Sequence, residues 1–149
     1  MSQMSRLGSA HPALAKSLQG ASQAVRIAVL QKACADAIEY SSLSSADSET
    51  ALNHIASGTS GDQVLMDRLQ ALADKLDDEY FDLSESSDPE RKDLAIKAFS
   101  QARAANALSI AVEAGCRDLD EAVYEAIMAA PDALSAIDPL LKIIAEKMP

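Results

Sequence analysis

Few side chains in this sequence combine the types and spacings that metal or nucleophilic chemistry requires. The two histidines, His11 and His54, have no second ligand at a spacing such as HExxH. The two cysteines, Cys34 and Cys116, form no CxxC pair, so we expect reduced structural thiols. The patterns GxGxxG, GxxxxGK[ST] and GxSxG do not occur. The sequence therefore predicts a protein that is not an enzyme and that binds no cofactor and no metal ion.

The densest charge lies between Asp74 and Glu90. This segment holds eight acidic residues against one basic residue, Lys75, in a chain whose net charge is −10. One interpretation is a solvated helix face. The other is a docking surface for a basic protein, because carboxylates speed the approach of a cationic partner and aromatic side chains anchor it. The candidate partner-binding residues are Asp74, Asp77, Asp78, Glu79, Tyr80, Asp82 and Glu85.

A second group of polar residues lies inside an otherwise apolar segment. Arg103 and Asn106 are three residues apart, which places them on one side of a helix. If that side faces the interior, Arg103 needs a carboxylate partner, for which Asp36 and Glu39 are candidates. A bridge that locks two helices together is one interpretation. A ligand pocket between the helices, in an enzyme or a ligand carrier, is the other.

The helix that must carry Arg103 runs from Asp88 to Gly115. Asp88 is a favoured N-cap residue, Pro89 suits the first turn, and Gly115 suits a helix stop. Small or apolar residues cover most of its circumference, and alanine lets neighbouring backbones approach closely, so we expect other helices around it. The residues expected to face inward are Ala95, Ala98, Phe99, Ala102, Ala105, Ala107, Leu108, Ala111 and Val112.

The rest of the chain divides into helical segments separated by Gly, Ser and Pro. They are expected at 12–19, 21–43, 47–57, 62–83, 118–130 and 138–148, and Pro139 opens the last one. The clearest amphipathic stripe consists of Leu65, Leu69, Leu72, Leu76, Tyr80 and Leu83. Strand-like alternation is absent, so the predicted fold class is all-α. We expect a single-domain bundle of six to seven helices over residues 11–149, preceded by a flexible N-terminus at residues 1–10.

The order of the helices suggests an internal repeat. The segment 31–38 aligns with 101–108, the segment 49–55 with 120–127, and the segment 67–75 with 138–146. Each half would contain a long helix, a shorter helix and an amphipathic helix. Chance alignment of Ala-rich helices is the alternative. If the repeat is real, two pseudo-repeated three-helix units pack with their long helices at the centre.

Composition narrows the possible partners. Aromatic residues make up 3% of the chain and tryptophan is absent, which suits closely packed helices. A net charge of −10 disfavours nucleic acid and anionic membranes, because phosphate binding needs clustered Lys and Arg. No apolar run approaches the roughly 20 residues of a membrane span, and the N-terminus has no apolar signal region. We therefore expect a cytoplasmic protein with a protein partner.

Three segments carry a resemblance to a known group of proteins. LQKACADAIEY (30–40), AFSQARAANALSIA (98–111) and LDEAVYEAI (119–127) resemble the all-helical immunity proteins of bacterial polymorphic-toxin systems. That resemblance implies a protein that neutralises a toxin by binding it, and it transfers no functional residues. An acidic surface suits the task, because an inhibitor of a nuclease has to cover a basic active site. The alternative is a small helical regulatory or scaffold protein that acts as a homodimer.

Overall fold

The computed structural model describes residues 5–43, 45–57 and 62–147, which form eight α-helices and no strand. The helices are α1 (Arg6–Ala10), α2 (Pro12–Gln19), α3 (Gln23–Ser41), α4 (Ala46–Ala56), α5 (Gln63–Ser84), α6 (Pro89–Ala114), α7 (Leu119–Met128) and α8 (Ala133–Lys147). A short 3-10 helix, Gly115–Asp118, joins α6 to α7. The predicted all-α bundle is confirmed.

Helix α6 is the centre of the bundle, as its composition predicts. Asp88 caps its N-terminus, because Asp88 Oδ1 accepts a hydrogen bond from the Glu90 amide at 3.1 Å. Pro89 occupies the first turn. It ends at Gly115, whose φ of 55° is a conformation that favours glycine. Helices α3, α4, α5 and α7 all pack against it. Of the residues expected to face inward, all are buried except Phe99, which is half-buried.

Helices α5 and α6 form a hairpin and pack on each other more extensively than the other pairs of helices in the described residues. Helix α5 buries Leu65, Leu69, Ala73 and Leu76, whereas Leu72, Tyr80 and Leu83 of the predicted stripe are only partly buried. No residue between positions 77 and 94 is buried. The distal end of the hairpin, which comprises residues 77–94, therefore consists only of exposed and partly buried residues.

The contacts among α3 to α8 follow the predicted pseudo-twofold arrangement. Exchanging α3–α4–α5 with α6–α7–α8 turns each packed pair into another packed pair: α5 on α6 becomes α8 on α3, α4 on α6 becomes α7 on α3, and α4 on α5 becomes α7 on α8. The two long helices, α3 and α6, pack on each other at the centre. This packing matches the two three-helix units that the sequence alignment suggests.

The two ends of the chain differ from the predictions. Residues 6–10 form a helix capped by Ser5, and Leu7 is completely buried, where the sequence predicts a flexible segment. Helix α8 begins at Ala133, so the expectation that Pro139 opens it is wrong: Pro139 is the seventh residue and lies inside the helix, where it removes one backbone hydrogen bond. Residues 1–4, Ser44, residues 58–61 and the end of the last predicted helix at Met148 lie outside the described residues.

None of the helices in the described part of the chain combines the length and the apolarity that crossing a membrane requires.

Candidate functional site

Arg103 forms two double hydrogen bonds that connect three helices. Its Nη2 donates to both carboxylate oxygens of Asp77 on α5, each at 2.9 Å. Its Nη1 donates to the two oxygens of Glu125 on α7 at 3.1 and 3.2 Å. The Arg103 side chain is 19% exposed and that of Glu125 only 3%. A planar guanidinium suits this task, because it presents several donors in fixed directions.

The buried carboxylate of Glu125 has further partners. Asn106 donates from Nδ2 to Glu125 Oε1 at 2.7 Å, and Arg6 donates from Nη2 at 3.3 Å. Arg6 also pairs with Glu121, and its guanidinium lies 4.5 Å from the centre of the Tyr124 ring. A buried carboxylate is costly unless charged donors surround it. Residues from α1 and α6 supply these donors to the carboxylate on α7, and the contacts of Arg6 hold the short N-terminal helix on the bundle.

This arrangement corrects one part of the sequence interpretation. Arg103 is partnered, as expected, but by Asp77 and Glu125. Asp36 instead accepts from Lys32 of its own helix at 3.0 Å, and Glu39 is exposed. Arg103 and Asn106 therefore form a bridge between helices, which is the first of the two interpretations.

The periodicity of α7 could have identified Glu125. Leu119, Ala122, Val123 and Ala126 are buried at helical spacing, and position 125 falls in the same sector. An acidic residue on an apolar helix face requires a basic partner, so Glu125 is a predictable partner for Arg103. Arg6 gives no such signal, because nothing in its short segment indicates which helix it contacts.

The seven candidate partner-binding residues fall into different environments. Asp77 is held by Arg103, so its carboxylate already has a partner within the fold. Asp74 is exposed and accepts a hydrogen bond from Gln70 one turn earlier at 3.1 Å. Tyr80 is half-buried. Four of the candidates, Asp78, Glu79, Asp82 and Glu85, are exposed acidic residues on the distal end of the hairpin.

Three aromatic rings lie beside these carboxylates. The Tyr80 ring centre is 5.5 Å from that of Phe81 and 5.4 Å from that of Phe99, with tilted planes. We call Tyr80, Phe81 and Phe99 the aromatic strip. Phe81 is 63% exposed, although it is among the most apolar side chains of the protein. Such a ring among charged residues is typical of a protein contact surface.

The side chains that could take part in metal or thiol chemistry are dispersed. Among the described residues, no group of three or more His, Cys, Asp and Glu side chains is arranged to hold a metal ion. Cys34 is fully buried, and the burial raises the pKa of its thiol to about 12. Burial also raises the pKa of Cys116, an effect that the charge of Arg26 partly offsets. Both cysteines are free thiols.

Comparison of the chain with protein-family models, with curated proteins and with solved structures gives no significant match.

Proposed function

We propose that this protein is a non-enzymatic binding module that captures a basic protein through the distal end of the α5–α6 hairpin. In its most specific form, the proposed function is that of an immunity protein that neutralises a basic toxin. The binding surface consists of Asp78, Glu79, Asp82 and Glu85 with Tyr80 and Phe81. Asp74 lies one turn before Asp78 on α5. Asp77 contributes to binding indirectly, because its bond to Arg103 fixes α5 against α6.

The observation that carries this proposal is the position of Phe81. Its ring is 63% exposed on a helix where Asp78 and Asp82, three residues before it and one after it, are exposed as well. Individually, exposed ion pairs contribute about 0–1 kcal/mol each, so acidic residues alone give little affinity. A large apolar side chain beside them supplies the anchor that a stable complex needs.

Affinity capture tests the proposal. The parent protein and the variant Asp78→Lys/Asp82→Lys/Glu85→Lys are immobilised, and bound proteins from cells of the source organism are identified by mass spectrometry. A matched control, Glu39→Lys/Asp138→Lys/Glu146→Lys, makes the same change in net charge at exposed residues of α3 and α8.

The expected result is a basic protein that the parent and the control capture and the hairpin variant does not. Co-expression of that protein with the parent should then protect cells from its toxicity, and co-expression with the hairpin variant should not. Capture of the same protein by all three baits would contradict the proposed surface. Absence of any basic protein among the captured partners would contradict the proposed function.

A homodimeric regulatory or scaffold protein is the second candidate. Exposed apolar residues on the hairpin favour it, because Leu94 is 53% exposed and Ile96 is 67% exposed. A dimer formed by apolar faces persists at high salt, whereas electrostatic capture of a basic partner weakens as salt rises. Light scattering at about 50 and 500 mM salt distinguishes the two, since only the dimer keeps twice the monomer mass in both.

A further inference from the structure

The aromatic residues of this chain are concentrated on one surface. The chain has three tyrosines and two phenylalanines. All five lie within the described residues, and none of them is buried. Three form the aromatic strip, and Tyr40 lines the same groove as Phe99. Four of the five aromatic side chains therefore lie in the aromatic strip or in the groove beside it, and not in the core.

The groove lies between the middle of α6 and the ends of two other helices. It has a volume of about 540 Å³, within the range of typical binding pockets. Ile96 and Phe99 of α6, Met128 of α7 and Tyr40 of α3 are its large apolar side chains. Ile96 is 67% exposed and Met128 39%. Because Phe99 belongs to both the groove and the aromatic strip, the groove adjoins the aromatic strip of the hairpin.

The electrostatic character of the groove comes from its helix ends. Ser42 is the C-cap of α3 and Ala129 the C-cap of α7, and both residues line the groove. A helix C-terminus carries about half a negative charge. Neither α3 nor α7 has a basic residue in its last turn that would compensate this charge. The side-chain charges of Asp93 and Lys97 offset each other. The side chains of the groove therefore carry no net charge, and its negative character comes from the two helix C-termini, where the Ala129 carbonyl already accepts a hydrogen bond from Ser100.

We propose that this groove takes one apolar side chain of a basic amphipathic helix, with a neighbouring Lys or Arg of that helix directed at the C-termini of α3 and α7. This inference rests on the proposed function and specifies the part of the partner that is recognised. A helix suits the groove because its apolar residues recur on one face and its basic residues flank them. The rest of the partner helix then lies along the aromatic strip.

A synthetic peptide tests this inference without the natural partner. The probe is a fluorescein-labelled amphipathic helix of Leu and Lys, and a peptide of Leu and Glu with the same Leu positions is its counterpart. Fluorescence anisotropy gives the Kd of each. The Leu and Lys peptide is expected to bind the parent protein, and Ile96→Ser should raise its Kd about tenfold, as loss of a central anchor does.

Leu94 provides the matched control. It is two residues from Ile96 on the same helix, is 53% exposed and does not line the groove. Leu94→Ser should change the Kd less than about twofold, in line with peripheral contacts. Both variants should melt at the temperature of the parent, because the two side chains are on the surface. Equal effects of the two variants, or equal binding of the Leu and Glu peptide, would overturn the proposal.

Two further outcomes distinguish a failure of this inference from a failure of the proposed function. If capture of the basic protein depends on Asp78, Asp82 and Glu85 but Ile96→Ser leaves the Kd of the peptide unchanged, the proposed function stands and the groove inference is wrong. If the parent protein is a dimer that Ile96→Ser converts to a monomer, the groove binds a second copy of the chain and the inference is again wrong.

Discussion

Replacing Arg103 with methionine is expected to lower the free energy of unfolding by about 2–4 kcal/mol. The substitution removes all four hydrogen bonds to Asp77 and Glu125 and leaves the Glu125 carboxylate 97% buried by side-chain area. Loss of one partner of a buried ion pair typically costs about 3–5 kcal/mol. The cost here is smaller, because Asn106 at 2.7 Å and Arg6 at 3.3 Å still donate to Glu125.

Urea unfolding followed by circular dichroism measures this loss, and thermal unfolding should show a decrease of about 6–12 °C in Tm. Asp77→Asn is the control, because the Asp77 side chain is 35% exposed, so the loss of its charge should cost only about 0–1 kcal/mol. If Arg103→Met unfolds within about 0.5 kcal/mol of the parent, a range typical of surface substitutions, the bridge does not stabilise the fold.

Three other perturbations test separate parts of the structure. Ala102 is completely buried between helices, so Ala102→Leu should overpack the centre and cost about 1–3 kcal/mol in urea unfolding; an unchanged midpoint would show that the site has room. Leu7 is also completely buried, so Leu7→Ala should cost about 2–5 kcal/mol, whereas a loose N-terminus would make the change neutral. Burial raises the pKa of Cys34 from 9.0 to about 12, so the unfolded chain releases this proton first and stability should fall between pH 9 and 12. Cys34→Ala should flatten that alkaline decline, and an identical pH profile in the variant would contradict the assignment.

The sequence predicts the elements whose signals are local. The cap at Asp88, the stop at Gly115 and the wide buried face of α6 from Ala95 to Val112 follow from residue types in that segment alone. The same holds for the caps of α3 and α5, where Ser22 and Asp62 accept hydrogen bonds from the amides of Val25 and Leu65. Local hydrogen bonding and helical periodicity determine such features, and both are visible in a single sequence.

The features that escaped prediction depend on contacts between distant parts of the chain. Arg6 and Glu125 are 119 positions apart, and only the packing of α1 on α7 brings them together. The burial of Leu7 has the same cause, since a five-residue helix is not stable by itself. Charge density places Asp77 with the docking carboxylates, yet the register between α5 and α6 turns it toward Arg103. The groove was not predicted either, because the ends of α3 and α7 meet beside α6 only in three dimensions.

Hydrogen–deuterium exchange of the protein, alone and saturated with the captured basic partner, tests most directly whether the hairpin is the binding surface. Increased protection is expected at residues 77–85 of α5 and 93–100 of α6, where the exposed acidic residues, the aromatic strip and Ile96 lie. Protection confined to α2 and α8, with exchange in the hairpin unchanged, would contradict the proposed function.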